Sequence, residues 1–326
     1  MNHYNCRLCG SKNFDNEINI GPFPKAAQYY PKKEEFSHDI PLMLEVCRCK
    51  DCKLVQLKNE PVDYYKTVIT AATLSKALQD QREVFFHNIA SKINKKNPKA
   101  IEIGCANGAN LPLLEEAGFL ATGIEFQSGD LMEYKSDKRI RNLFINDLSE
   151  EENSGYDLVV CFNFLEHQPE QRSFISKIYD LLSDDSYCLI TVPNFTFLQE
   201  EMCSYEFVAD HLVYYTLDSL VSAFSGFGFS VCVAKLINND NDILLICQKK
   251  ILPDLHEMKI SLDSLVLKFN SLLQSISDQN KTVAVWGAGH RGLALLSLID
   301  HTKISYIIDS ADFKQGKYSP LSHLKI

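Results

Sequence analysis

Several absences set the first limits on this chain. None of its apolar runs is long enough to span a bilayer, and the N-terminal M-N-H-Y-N-C-R-L-C-G has no apolar signal-peptide core. A cytoplasmic protein with no membrane partner is therefore expected. Positive charge is also in deficit: 33 Lys and Arg stand against 42 Asp and Glu, a net charge of -9. That balance argues against a nucleic-acid partner held through its phosphates, though it says nothing about fold. With 45% hydrophobic and 23% charged residues, the 326-residue composition is that of a globular protein long enough for two domains or more. In a reducing compartment its 11 cysteines are free thiols or metal ligands, not a disulfide framework.

Five of those cysteines fall in the first 52 residues. Cys6-Arg-Leu-Cys9 and Cys49-Lys-Asp-Cys52 are two C-x-x-C knuckles, and four soft thiolates at that spacing suit a closed, structural Zn2+ site. Cys47 leaves a second pairing open, with Cys52 as its partner. A redox role is disfavoured because no βαβ pattern surrounds either knuckle. The zinc-binding module is expected over residues 1–62, loop-rich from Ile20 to Pro41 because Gly21, Pro22, Pro24 and Pro31 punctuate it. A helical linker over 63–98 follows. Tyr64 and Tyr65 at its start are either core residues or face a substrate cleft, and Tyr65 joins the catalytic candidates on the second reading. Leu74, Ala77, Leu78, Phe85, Ile89 and Ile93 then predict a helix from about Thr73 to Ile93, stopped at Asn97-Pro98.

Residues 99–250 carry the stretch around which the chain is organised. Ala100-Ile-Glu-Ile-Gly-Cys-Ala-Asn-Gly108 reads as a buried strand, a small-residue turn and the start of a helix with Leu111, Leu113, Leu114 and Ala117 on one face. Strand, glycine turn and helix N-terminus are the nucleotide cradle of doubly wound α/β folds. Glu102 inside the strand would repel a pyrophosphate but suits a ligand bearing an ammonium and a sulfonium. The stretch resembles the first motif of class I S-adenosylmethionine (SAM) methyltransferases, with Ala106 at the middle glycine. Glu102, Gly104, Cys105, Ala106 and Gly108 are therefore expected at the cofactor. A second strand, Phe119–Ile124, ends in Glu125 followed by Phe126, and an acid there can accept both ribose hydroxyls of an adenosine. A strand Leu143–Ile145 ends at Asn146-Asp147, where the adenine amino group would be met.

The fourth strand, Tyr156–Cys161, leads to Asn163-Phe-Leu-Glu-His167 at the switch point of the sheet, placing Asn163 and His167 beside the cofactor or the reacting atoms. Phe174, Ile175, Ile178, Leu181 and Leu182 mark a helix, and Tyr187–Val192 a fifth strand. Phe229–Leu236 and Ile243–Cys247 predict a terminal antiparallel hairpin, an ending of class I methyltransferases and not of dehydrogenases. Between the fifth strand and the hairpin, Tyr205–Tyr215 forms a polar, aromatic loop carrying His211, with Asp210 and Tyr214 nearby. A lone histidine is more often structural than a base, but Asp210 and Tyr214 nearby and its place over the carboxyl edge of the sheet make His211 as good a candidate for catalysis as for structure.

Residues 251–326 predict a helix from about Leu255 to Ile276, then Thr282–Trp286, the motif Gly287-Ala-Gly289-His-Arg-Gly292, and a strand Ile304–Ile308 ending in Asp309. This is a complete G-x-G-x-x-G βαβ unit with an acid about 20 residues on. Taken alone it suggests a nicotinamide site. Two strands are fewer than that fold needs, so a partial, truncated Rossmann-like unit with no tight NAD or NADP binding is expected.

The paired knuckles, the block Pro41-Leu-Met-Leu-Glu-Val-Cys-Arg-Cys-Lys-Asp-Cys-Lys-Leu-Val-Gln-Leu57, the SAM motif and the late G-A-G-H-R-G together resemble the sugar C-methyltransferases, over essentially the whole chain. That resemblance implies a nucleotide-linked 4-keto-deoxysugar as substrate, enclosed by the zinc module and the SAM domain, with a loop histidine removing the C3 proton. His211 matches that base and His167 another active-site histidine. Val208-Ala-Asp-His211 stands where the family has Tyr-His-Glu-His, so Asp210 replaces a glutamate. Alternative readings are O-methylation of a sugar or small molecule, a catalytically impaired SAM- or sugar-nucleotide-binding protein, and a dehydrogenase using Gly287–Gly292.

Overall fold

Apolar and polar residues alternate near the N-terminus, and the chain uses that alternation for an antiparallel sheet. Phe14–Pro24 (β1) pairs with Pro41–Cys49 (β2), and β2 with Val55–Leu57 (β3). The computed structural model describes residues 4–25, 31–62, 74–126, 137–148, 154–251 and 253–326. Part of the stretch expected to be loop-rich, Ile20–Pro24, is thus strand. Pro22 and Pro24 are tolerated because β1 is an edge strand with register shifts after Asp15 and Ile20. Residues Lys33–His38 make a 3-10 turn.

Lys76–Ala90 (α1) begins after Ser75, whose Oγ accepts the Leu78 N–H and caps the helix; Thr73 lies outside the described residues. The alternation of strands and helices then follows. Its elements are Lys99–Ile103 (β4), Leu111–Glu116 (α2), Leu120–Glu125 (β5), Ile140–Asn142 (β6), Tyr156–Phe162 (β7), Gln171–Leu181 (α3) and Leu182–Pro193 (β8). Phe195–Glu200 (α4), Val213–Tyr214 (β9), Leu217–Gly226 (α5), Phe229–Ile237 (β10) and Asp242–Lys249 (β11) complete it. Seven strands form one sheet in the order β10-β11-β8-β7-β4-β5-β6, parallel from β8 to β6 and antiparallel at the β10–β11 hairpin. This is the class I SAM methyltransferase fold.

The expected strand Leu143–Ile145 is corrected: the pairing strand is β6, and Ile145–Asp147 is a 3-10 turn. Asp147 Oδ2 accepts the Phe144 N–H at 3.2 Å, which closes a turn where an extended chain was expected.

Alternate residues of the central strands face opposite sides. Ile101, Ile103, Val159, Cys161, Ile190 and Val192 build one core; Ala100, Leu158, Val160, Leu189 and Leu244 build the other. Cys6, Leu8, Cys49 and Leu54 pack into the first of these cores. The cysteine module therefore shares its interior with the sheet, within the compact unit Met1–Ile251.

The unit Leu252–Ile326 contains Leu255–Asp278 (α6), Ala284–Trp286 (β12), His290–Leu296 (α7) and Tyr306–Ile308 (β13). β12 and β13 are parallel, over a core of Leu273, Leu296, Ile299, Ile304 and Ile307. No described helix is long and apolar enough to cross a membrane.

Candidate active site

The turn after β4 is held open by glycines that nothing else can replace. Gly104 has φ +71°, and a Cβ there would lie 2.5 Å from the Phe164 ring. Gly108, at φ +74°, would meet Ile140 at 2.7 Å. Ala106 takes the same left-handed region at φ 48°. Cys105 contributes backbone and packing: its N–H donates to Ile124 O, its Sγ fills the space beside Gly123, and burial pushes its thiol up.

Two carboxylates face this turn. Glu125 Oε2 accepts the Ala106 N–H at 2.8 Å and Oε1 the Phe126 N–H at 3.1 Å, while burial raises its carboxyl. Glu102 is 2% exposed. One of its oxygens accepts Asn110 Nδ2–H; Oε2 has no hydrogen-bond partner among the described residues. Burial pushes this carboxyl up to about 8, against the Asn110 hydrogen bond and the charge of Arg82. Arg82, from α1, donates to Asn110 Oδ1 at 2.7 Å and lies 3.9 Å over the Phe162 ring. An orphaned, buried carboxylate oxygen with a guanidinium near it fits the ammonium and carboxylate of an amino-acid moiety. Arg82 and Asn110 were invisible to motif reading, since nothing local marks a helix arginine as turned inward.

Other expected cofactor residues divide. Phe126 stacks flat on Phe144, with centroids 3.9 Å apart. Asn146 and Asp147 are exposed on the turn after β6. Asn163 is at φ 43°, and its amide is already committed, accepting from Thr191 Oγ1 at 2.6 Å and donating to Asp242 Oδ1 at 3.1 Å.

A second cluster forms beyond β7, the strand beside β4. His167 Nδ1 lies 2.9 Å from the Asp210 carbonyl oxygen, so Nδ1 carries the proton and Nε2 the lone pair. The His211 ring stands edge-on to it, centroids 4.7 Å apart at 77°. Burial, with the neighbouring His167, pushes His211 down to about 3, and burial also lowers His167. Both imidazoles are neutral acceptors at physiological pH. Glu166, passed over in the sequence, is 2% exposed, with Oε2 unpartnered among the described residues; burial pushes it up to about 8.

The loop owes its position to pairing that no local pattern shows. β9 adds to β3, giving the sheet order β1-β2-β3-β9, while Leu212 N–H donates to Glu166 O and Leu57 N–H to Leu212 O. Tyr214 OH spans Val208, accepting its N–H at 3.0 Å, and so braces the loop. Asp210 meets His167 through its carbonyl. Tyr65 lies outside the described residues.

Cys6, Cys9, Cys49 and Cys52 hold their sulfurs within 4.8 Å of one another. Cys6–Cys52 and Cys9–Cys49 are 3.5 and 3.6 Å apart, against roughly 3.8 Å for thiolates around a tetrahedral zinc at about 2.3 Å. Cys47 lies outside the group, its thiol pushed up to about 12 by burial. Hydrogen bonding from Cys52 pulls Cys6 down to about 4, and Gln56 Nε2 donates to its sulfur at 3.2 Å. Gln56 Oε1 accepts from Tyr4 OH and the Arg7 N–H, which fixes that amide's orientation. The donor set fits a tetrahedral metal.

Residues 71–233, half of the chain, match the family described as a methyltransferase domain. The chain belongs to that methyltransferase family. Residues 255–326 of this methyltransferase match the C-methyltransferase C-terminal domain, where the dehydrogenase alternative had placed a nicotinamide site. The glycine turn after β4 and the carboxylates facing it lie inside the matched segment. The ubiquinone biosynthesis O-methyltransferases of Pseudomonas entomophila (strain L48) and Pseudomonas syringae pv. syringae (strain B728a) are each 25% identical over 114 residues, covering 33% of this chain and 49% of each relative. The methyltransferase thus spans about half the length of the curated relatives it matches. Among solved structures, the magnesium protoporphyrin IX methyltransferase ChlM from Synechocystis PCC 6803 with bound SAH is 14% identical at a TM-score of 0.43, over 58% of this chain and 97% of that one. A SAM-dependent methyltransferase from Methanosarcina mazei is 16% identical at 0.42, over 52% and 98%.

Proposed function

We propose that this methyltransferase acts on a nucleotide-linked keto-deoxysugar and methylates carbon, with His211 taking the acceptor proton. The observation that carries the reading is the His167–His211 pair: His211 is a neutral imidazole on the loop joined to the cysteine module, beside the strand next to the SAM turn. The C-methyltransferase C-terminal match supports carbon as the acceptor, and the resemblance of the cysteine block to sugar C-methyltransferases supports the substrate class. SAM supplies an electrophilic methyl group. Glu102 receives the cofactor's ammonium on its unpartnered oxygen, Arg82 faces the carboxylate, and Glu125 accepts the ribose hydroxyls. His167, its tautomer set by the Asp210 carbonyl, holds the His211 ring in place. Cys6, Cys9, Cys49 and Cys52 hold a structural Zn2+ that ties the loop-bearing sheet to the core; less than one zinc per chain in freshly purified protein would remove that assignment.

The test is turnover with labelled SAM over a panel of nucleotide-linked 4-keto-deoxysugars. Methyl incorporation at carbon, read by NMR, is expected. Incorporation only at oxygen would replace the reading with sugar O-methylation, and none on any member would favour a binding protein. His211→Ala should keep SAM affinity and lose about 10²–10⁴-fold in rate. Full activity in that variant would place the base elsewhere.

A further inference from the structure

Glu166, His167 and His211 each offer one donor atom, and those atoms all lie within 4.8 Å of one another. The carboxylate is buried, and its Oε2 has no hydrogen-bond partner among the described residues. Leaving a buried acceptor unsatisfied is costly unless something binds it. His167 already shows the outer-shell arrangement of a metal ligand: it donates one ring N–H to a backbone carbonyl, which presents the other nitrogen's lone pair. Two imidazoles and one carboxylate select late transition metals over Mg2+ or Ca2+, which prefer all-oxygen shells. Ligands of a tetrahedral zinc at 2.0–2.2 Å sit roughly 3.3–3.6 Å apart, so the three donors need to close by no more than about 1.5 Å.

We propose that Glu166, His167 and His211 form a binding site for a divalent transition metal such as Zn2+, separate from the cysteine cluster, and that an ion held there takes the lone pair with which His211 removes a proton. Metal binding and base catalysis are then exclusive uses of one nitrogen, and the site is inhibitory. Binding stands independently of the substrate reading; the inhibition rests on His211 being the base.

The experiment titrates Co2+ into the full chain and follows visible absorption. A low-coordinate cobalt spectrum without the near-ultraviolet thiolate charge-transfer band is expected, because nitrogen and oxygen ligands give none. Glu166→Gln and His211→Ala should each weaken this binding at least tenfold, with SAM affinity and melting temperature reporting that the variants are folded. Absence of a thiolate-free cobalt signal in the wild type overturns the proposal, as does a signal unchanged in both variants. On a confirmed substrate, metal should slow turnover. Acceleration instead would overturn the base role of His211 and the inhibition with it, while the spectra still read the site.

Discussion

Two glycine-rich turns occupy this chain, and the one with the more complete motif is the poorer cradle. Gly287–Gly292 has every glycine of G-x-G-x-x-G, whereas Gly104–Gly108 has an alanine in the middle. Yet a Cβ on Gly287 or Gly289 would meet nothing within 4 Å among the described residues, while Gly104 and Gly108 are pressed against Phe164 and Ile140. The acids differ as well. Asp309 accepts the Ala311 N–H at 2.9 Å, the Lys314 ammonium at 3.0 Å and the Ala288 N–H at 2.7 Å, which together hold it down to about 2. Its charge is neutralised by its own turn. Glu102 is buried beside its turn with an oxygen still unpartnered among the described residues. A turn becomes a ligand site when its charged groups are left for the ligand to satisfy.

The largest effect should come from filling the first turn. Gly104→Ala forces a positive φ on a side chain and drives it into Phe164, so a loss of about 2–5 kcal/mol in stability is expected by denaturant unfolding. Gly289→Ala, in open space at φ -85°, should stay within about 0.5 kcal/mol. Equal effects would break the contrast.

Next come the acids. Glu125→Ala should weaken SAM binding by about 1.5–3 kcal/mol, the worth of hydrogen bonds to a charged acceptor. Asp309→Ala should leave it unchanged. Calorimetric titration of both variants decides, and an unaltered dissociation constant in the first would take Glu125 out of the site.

A smaller effect is pH-dependent. Burial raises Glu102 to about 8, so between about pH 5 and 8 the folded state keeps a proton that the unfolded chain has lost. Folding stability without cofactor should fall as pH rises through that window. Glu102→Gln should flatten part of this fall and remove the rise in SAM affinity that ionisation brings. Parallel melting curves of the two proteins from pH 5 to 8 would contradict the assignment.

The smallest expected effect is none: NAD and NADP should not shift the melting temperature, because Asp309 and Lys314 already occupy each other at the second turn. Protection at micromolar NAD would overturn this.

Legibility followed range. The glycine turn after β4, the parallel strands and the terminal hairpin could be read from residues close together, because glycine conformations and apolar periodicity are local. The stretch Ile20–Pro24 was misread because its prolines signal a loop unless the strand is known to lie at an edge. Leu143–Ile145 was misread because three apolar or aromatic residues look alike in a strand and in a turn. Glu166 lay inside the quoted segment, yet no periodicity tells a buried, unpartnered carboxylate from a solvated one.

By itself, then, the sequence determined the class of fold, the glycine turn after the first parallel strand and the paired cysteine knuckles, since each depends on spacing within a few residues. Only the tertiary structure decided where the chemistry gathers. β9 reaches back to β3, Arg7 donates to Pro169 O, and the Asp210 carbonyl sets the His167 tautomer from 43 positions away. The physical reason is that a proton position, a buried charge and a neighbouring ring are properties of the space around a side chain, filled here by segments that the sequence keeps far apart.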